Sequence, residues 1–148
     1  MVSRITSNCL GRNVSVLGLG ILGSLDSDGL LDNTEQVLLL VNKAIDLGIS
    51  FFDTGEDYQD GISEKLLGLA IKNKRDKVFL SSKFKPSNNA PENIRKSLEA
   101  SLTRLGTDYL DLYQLQWPNP KIPLSSSIKE LIRLRQEGKC KAIGVSNL

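Results

Sequence analysis

Segments of strand character alternate with segments of helical periodicity along this whole chain, and the strand starts recur roughly every thirty residues, the length of one βαβ unit. Val14-Ser-Val-Leu-Gly-Leu-Gly20 reads as a first strand running into glycines, and Ile49-Ser-Phe-Phe-Asp53 as the second. Val78-Phe-Leu-Ser-Ser-Lys83, Leu110-Asp-Leu-Tyr-Gln-Leu-Gln116 and Ala142-Ile-Gly-Val-Ser146 are the third to fifth. Such alternation requires a parallel sheet with helices packed against it, because a parallel crossover needs a helix-length connection.

Four predicted helices fill the gaps. Asp32 and Glu35 have capping-box spacing ahead of an apolar face made by Val37, Leu38, Val41, Ala44 and Ile45, with Gly48 as the stop. Ser63-Glu64 opens a helix whose apolar side is Leu66, Leu67, Ala70 and Ile71. Pro91 and Glu92 suit the first turn of the next helix, which is lined by Ile94, Leu98, Leu102 and Leu105 and ended by Gly106. Ser127 and Glu130 form a second capping-box pattern beside Ile128, Leu131 and Ile132, before a stop at Gly138.

The chain has 148 residues. That suffices for one domain, but a closed eight-stranded α/β barrel needs roughly 250. The chain also stops at Leu148, directly after its fifth strand and without a covering helix. The expectation is therefore the first part of a larger fold, whose sheet edges want partners. With 19 basic and 17 acidic side chains, the net charge of +2 argues against a dedicated nucleic-acid or anionic-membrane surface. The basic run from Lys72 to Lys77 reads as the solvated end of a helix rather than as a phosphate patch. Cys9 and Cys140 match no metal spacing and read as reduced thiols. The N-terminal stretch lacks the apolar centre of a signal peptide, and the longest unbroken apolar stretch, Val37 to Val41, is far short of the roughly 20 residues of a membrane span. A cytoplasmic location is expected.

Gly18-Leu-Gly20-Ile-Leu-Gly23 matches a dinucleotide-binding fingerprint after a strand, with an acid, Asp53, at the end of the next. That fingerprint needs its third glycine in the opening turn of a helix, whereas about ten mostly polar residues follow here, so a Rossmann site is only an alternative. Asp26, Asp28 and Asp32 lack the glutamate that a calcium loop requires, and read as a solvated loop. The stronger constellation lies at the strand tails. Asp53, Tyr58 and Lys83 fall at the carboxyl-end rim of neighbouring strands, where α/β folds build their sites. Taken singly, each has a bland reading: a turn cap, a packed ring, a snorkelling lysine. Together they bring an acid, a phenol and an ammonium to one place. Gln116 closes the rim, in a chain with no histidine.

The motifs at this rim resemble those of the aldo-keto reductases. The likeness is carried by Phe52-Asp-Thr-x-x-x-Tyr58, Gly61-x-Ser-Glu64 with Leu67-Gly68, Lys83, Ser97-Leu-Glu-x-Ser-Leu-x-Arg-Leu105, Asp108-Tyr-Leu-Asp-Leu-Tyr113 and Gly138-Lys-x-Lys-Ala-Ile-Gly-Val-Ser-Asn147. It spans nearly the whole chain. It implies a partial (β/α)₈ TIM barrel, in which residues 1–148 supply an N-terminal strand pair or arm, then strands one to five with four helices.

The resemblance also implies a chemistry. Tyr58 would be the general acid that protonates an aldehyde or ketone oxygen as hydride arrives from NADPH. A free phenol ionises near pH ~10, and Lys83, as an adjacent ammonium, would favour loss of its proton. Asp53 would pair with Lys83. Ser146 and Asn147 would hydrogen-bond the nicotinamide carboxamide, Gly20 and Asp53 would lie along the NADP(H) site, and Trp117 would stand with Tyr58 at the substrate mouth. Gln116 occupies the place of the family's usual histidine, in the context Leu115-x-Trp117-Pro118. An amide can donate a hydrogen bond but cannot become cationic, so a slower reductase or a shifted substrate is expected. Family members with an amide here, the potassium-channel β subunits, resemble cofactor-bound regulators, which leaves a weakly catalytic nucleotide-binding role as the alternative. A further alternative is an interaction protein that self-associates through open sheet edges.

Overall fold

The computed structural model describes residues 2–7, 12–21 and 34–148. Cys9, Gly23 and the acidic stretch with Asp26, Asp28 and Asp32 lie outside the described residues, and so does the capping role expected of Asp32.

Five parallel strands form one sheet in sequential order: β3 (Gly18–Gly20), β4 (Phe51–Asp53), β5 (Phe79–Phe84), β6 (Leu110–Leu115) and β7 (Cys140–Val145). The order never reverses, so the sheet has no switch point of the kind that seats a dinucleotide in a Rossmann fold. Helices α1 (Thr34–Asp46), α2 (Ile62–Ala70), α3 (Pro91–Leu105) and α4 (Leu124–Gln136) connect successive strands.

Side-chain alternation divides the strands into two faces. Phe52, Leu80, Phe84, Tyr113 and Leu115 are buried against the helices, which contribute Val37, Val41, Leu66, Leu67, Ile94, Leu98, Leu131 and Leu134. The opposite face carries the stacked rings of Phe51 and Phe79, with centroids 5.0 Å apart, and further along the strands it turns polar with Asp53, Ser81 and Lys83. The apolar faces read from the sequence for α2 and α3 are buried residue for residue.

Three local expectations need correction. The first predicted strand is two strands: β2 (Arg12–Ser15) pairs antiparallel with β1 (Arg4–Ser7), and only Gly18–Gly20 joins the main sheet. The break is made by Ser15, whose Oγ donates to Leu17 O over 2.6 Å and accepts from Ser50 N at 2.9 Å. Next, Ser127 and Glu130 do not cap α4. Pro123 precedes the helix and Leu124 opens it, so both residues lie inside. There Ser127 Oγ donates to Asn89 O over 2.7 Å, and Glu130 is paired with Arg95.

Lastly, the basic run after α2 is not all solvated. Arg75 bonds Asp111 over 2.7 Å and its guanidinium stacks over the Tyr109 ring at 4.1 Å. Asp111 is buried, and it also accepts from Leu80 N (2.9 Å) and from Arg12 of the hairpin (3.2 Å). Arg12 reaches the Asp76 and Val78 carbonyls as well. This carboxylate thus joins the Ser15–Ser50 bonds in fastening the hairpin to the sheet.

Candidate active site

Asp53 ends β4 and Lys83 lies near the end of β5, one strand over. The loop after β4 returns at once: Tyr58 N donates to Gly55 O over 3.1 Å, and a tight turn at Tyr58–Gly61, with Gln59 and Asp60 in left-handed backbone conformations, leads into α2. Glu56 clamps this loop to β5, its backbone N–H donating to Lys83 O (3.0 Å) and its carboxylate accepting from Lys85 N and Asn88 Nδ2, both at 2.8 Å. The phenol is thereby held over the lysine.

Lys83 is nearly buried, and all three of its ammonium protons have acceptors. Nζ is ion-paired with Asp53 Oδ2, donates to Thr54 O over 3.0 Å, and lies 3.4 Å from Tyr58 Oη. It also sits 5.2 Å from the centroid of the Tyr58 ring. When the phenol oxygen accepts from Lys83, its own proton points elsewhere, which is the arrangement an acid catalyst needs. The second Asp53 oxygen, Oδ1, accepts from Ser81 Oγ at 2.9 Å.

Gln116 follows β6 on the same rim. Its backbone nitrogen donates to Phe84 O, and its carbonyl accepts from Ser146 Oγ (2.6 Å) and Asn147 Nδ2 (2.7 Å). Asn147 holds a left-handed φ of 57°, a conformation that asparagine tolerates better than most residues. Ser146 and Asn147 are therefore stitched to the tail of β6. The side-chain Oε1 of Gln116 is buried and has no hydrogen-bond partner among the described residues. No hydrogen bond links Gln116 to Tyr58 or Lys83 among the described residues, so the rim consists of an Asp53–Lys83–Tyr58 cluster and a Gln116–Ser146–Asn147 cluster.

Gly20 pairs with Asp53 across β3 and β4. A Cβ at residue 20 would meet nothing within 4 Å among the described residues, and the residue is exposed. Neither neighbouring atoms nor a positive φ calls for glycine there. Trp117 is 51% exposed, with its carbonyl held by Asn89 Nδ2 at 3.0 Å. Ser81, Gln114 and Glu56 also belong to the site, although none was singled out from the sequence, and so does Thr54, which entered only as part of the Phe52-Asp-Thr motif. Alternation along β5 and β6 was the available signal, since it places Ser81 on the face of Lys83 and Gln114 on the face of Gln116.

The profile of the aldo/keto reductase family matches residues 16–148. The chain belongs to the aldo/keto reductase family. It is 38% identical, over 93% of its own length, to the aldo-keto reductase YhdN of Bacillus subtilis, and 43% identical over 70% of its length to the methylglyoxal reductase YeaE of Escherichia coli. It spans 44% and 36% of these two relatives. Among solved structures it superposes with a TM-score of 0.90 on the thermostable aldo-keto reductase Tm1743, determined with the inhibitor epalrestat, at 35% identity and over 99% of this chain and 54% of that one. An aldo/keto reductase from Klebsiella pneumoniae, solved with NADP and acetate, aligns with a TM-score of 0.85 at 36% identity, over 95% of this chain and 48% of its own. The five parallel strands and four helices are thus the corresponding part of an aldo/keto reductase α/β fold. Among the described residues, no helix is long and apolar enough to cross a membrane, and no three metal-ligating side chains cluster.

Proposed function

We propose that this protein is an NADPH-dependent reductase of small aldehydes or ketones, with Tyr58 as the general acid. The observation that carries the reading is the triply bonded Lys83 ammonium. It is anchored by Asp53 and Thr54 and turned onto the phenol oxygen. Lys83 offsets the negative charge left on that oxygen after its proton has gone to substrate, and Asp53 keeps the ammonium in place. A relative named for methylglyoxal reduction suggests small dicarbonyls as first substrates to try.

The residues present fit a nicotinamide cofactor. Glycine at 20 puts no side chain in the way of a flat ring, and Ser146 and Asn147, held to the tail of β6 by Gln116 O, would meet its carboxamide. When bound, NADPH supplies the hydride. The protein's part is to hold the carbonyl between Tyr58 and Gln116, exclude water, and deliver the phenol proton to the carbonyl oxygen. Gln116 contributes an uncharged amide that orients the substrate.

The test is NADPH oxidation with methylglyoxal by the protein and by Tyr58→Phe. The variant should lose turnover while NADPH still quenches Trp117 fluorescence as in the parent. Retention of most activity by Tyr58→Phe would sink the assignment.

A further inference from the structure

A line of hydrogen bonds crosses the polar face of the sheet beneath the proposed catalytic cluster. Gln114 Nε2 on β6 donates to Ser81 Oγ on β5 over 3.1 Å, and Ser81 Oγ donates to Asp53 Oδ1 on β4 over 2.9 Å. Oδ2 of the same carboxylate holds Lys83, and Lys83 reaches Tyr58. The polarity of this line is fixed. An amide nitrogen can only donate, and a serine hydroxyl has a single proton, which is left for Asp53 once Gln114 occupies the oxygen. Ser81 is completely buried, so no water competes for that proton.

The fifth strand takes part through an absent side chain. Gly144 on β7 lies opposite Gln114 in the register. A Cβ there would stand 3.1 Å from both Cγ and Oε1 of Gln114, tighter than ordinary contact. Glycine at 144 therefore leaves Gln114 the room it occupies while it donates to Ser81. Four adjacent strands contribute to the placement of one carboxylate.

Without this support, Asp53 would be tethered only by Lys83, on a side chain that is 29% exposed. A carboxylate free to swing would take the ammonium with it, because among the described residues Lys83 has two other acceptors but no second charge partner. We propose that Ser81 and Gln114 are positioning residues, which lock the Asp53 carboxylate and through it aim the Lys83 ammonium at Tyr58. The inference rests on the reading of Tyr58 as the acid. Neither residue touches the reacting atoms.

The experiment follows exchange of the Lys83 ammonium protons with water by NMR, in the full chain without cofactor or substrate. A failure of reductase activity therefore does not blur the answer. The parent should show a protected ammonium signal. Ser81→Ala should speed its exchange about tenfold, the effect of losing one hydrogen bond to a charged group. Gly144→Ala, which removes no polar group and only presses on Gln114, should speed it by a smaller factor. Backbone amide spectra identify variants that keep the native fold. Unchanged Lys83 exchange in a natively folded Ser81→Ala or Gly144→Ala protein would overturn the proposal. In the reductase assay, Ser81→Ala should lower kcat with little change in KM, and a change confined to KM would also count against a positioning role.

Discussion

Arg104 Nε donates to Glu64 Oε2 over 2.6 Å across the seam between α2 and α3. Glu64 is fully buried, and its other oxygen accepts from Ser82 Oγ, also at 2.6 Å. A carboxylate out of water is tolerable only while both oxygens are occupied by such partners. Arg104→Ala should therefore cost about 3–5 kcal/mol, the penalty for stranding a buried charge. Denaturant unfolding measures it. Pairing the change with Glu64→Gln should recover a large part of the loss, and a loss in the double variant as great as in the single one would contradict this account.

Gln59, next to the proposed acid, has φ 52° and ψ 48°, and its Oε1 is buried without a partner among the described residues. A left-handed conformation costs a side-chain-bearing residue about 1–2 kcal/mol. Gln59→Gly should raise stability by about 1 kcal/mol, part of the relief being offset by glycine's greater freedom when unfolded. A lower unfolding midpoint in the variant would show that the side chain contributes more than its conformation costs.

Burial pushes the Cys140 thiol up to about 11. An unfolded thiol ionises near ~8.5. The sign follows directly. Below that value both states hold the proton and the contribution is complete, whereas above it the unfolded chain loses the proton first and unfolding is favoured. Stability should fall as pH rises from about 8.5 towards 11. The buried Tyr113 phenol is also raised, by loss of solvation and by the charges of Glu56 and Glu64, and it adds to the trend in the same direction. Cys140→Ala should flatten the first part of the decline in unfolding free energy against pH, at some cost in packing. A slope identical to the parent's would assign the loss to other groups.

Gln116→His should increase turnover, and the increase should grow as pH falls through about 6.5, where an imidazole becomes cationic. A cation facing a developing oxyanion stabilises it more than an amide does. Comparison of kcat between mildly acidic and mildly alkaline pH for parent and variant provides the check. A pH-independent gain would mean that the imidazole acts by orientation alone, and no gain would mean that Gln116 does not limit the rate.

What the sequence made legible depended on local periodicity. Ile94, Leu98, Leu102 and Leu105 could be assigned to one buried face because helical spacing needs no knowledge of the rest of the chain. The shared rim of Asp53, Tyr58 and Lys83 was visible for a related reason, since strand tails in a parallel sheet lie at one end. Features set by distant partners were not. The break at Ser15 depends on Ser50, 35 residues away, and the place of Ser127 inside α4 serves Asn89, 38 residues back. Ser81 and Gln114 looked like ordinary strand residues, because their bond exists only through the register between β5 and β6.

Arg12 and Asp111 are 99 positions apart in the chain. During synthesis the hairpin that carries Arg12 leaves the ribosome early, while its carboxylate partner follows only after three βα crossovers have been made. Closing so long a loop is entropically unfavourable until β5 and β6 are paired and bring Asp111 beside the Asp76 and Val78 carbonyls that lead into β5. The Arg12–Asp111 bond is therefore made late, after Ser15 has met Ser50, and it records that the strands behind the hairpin have already found their order.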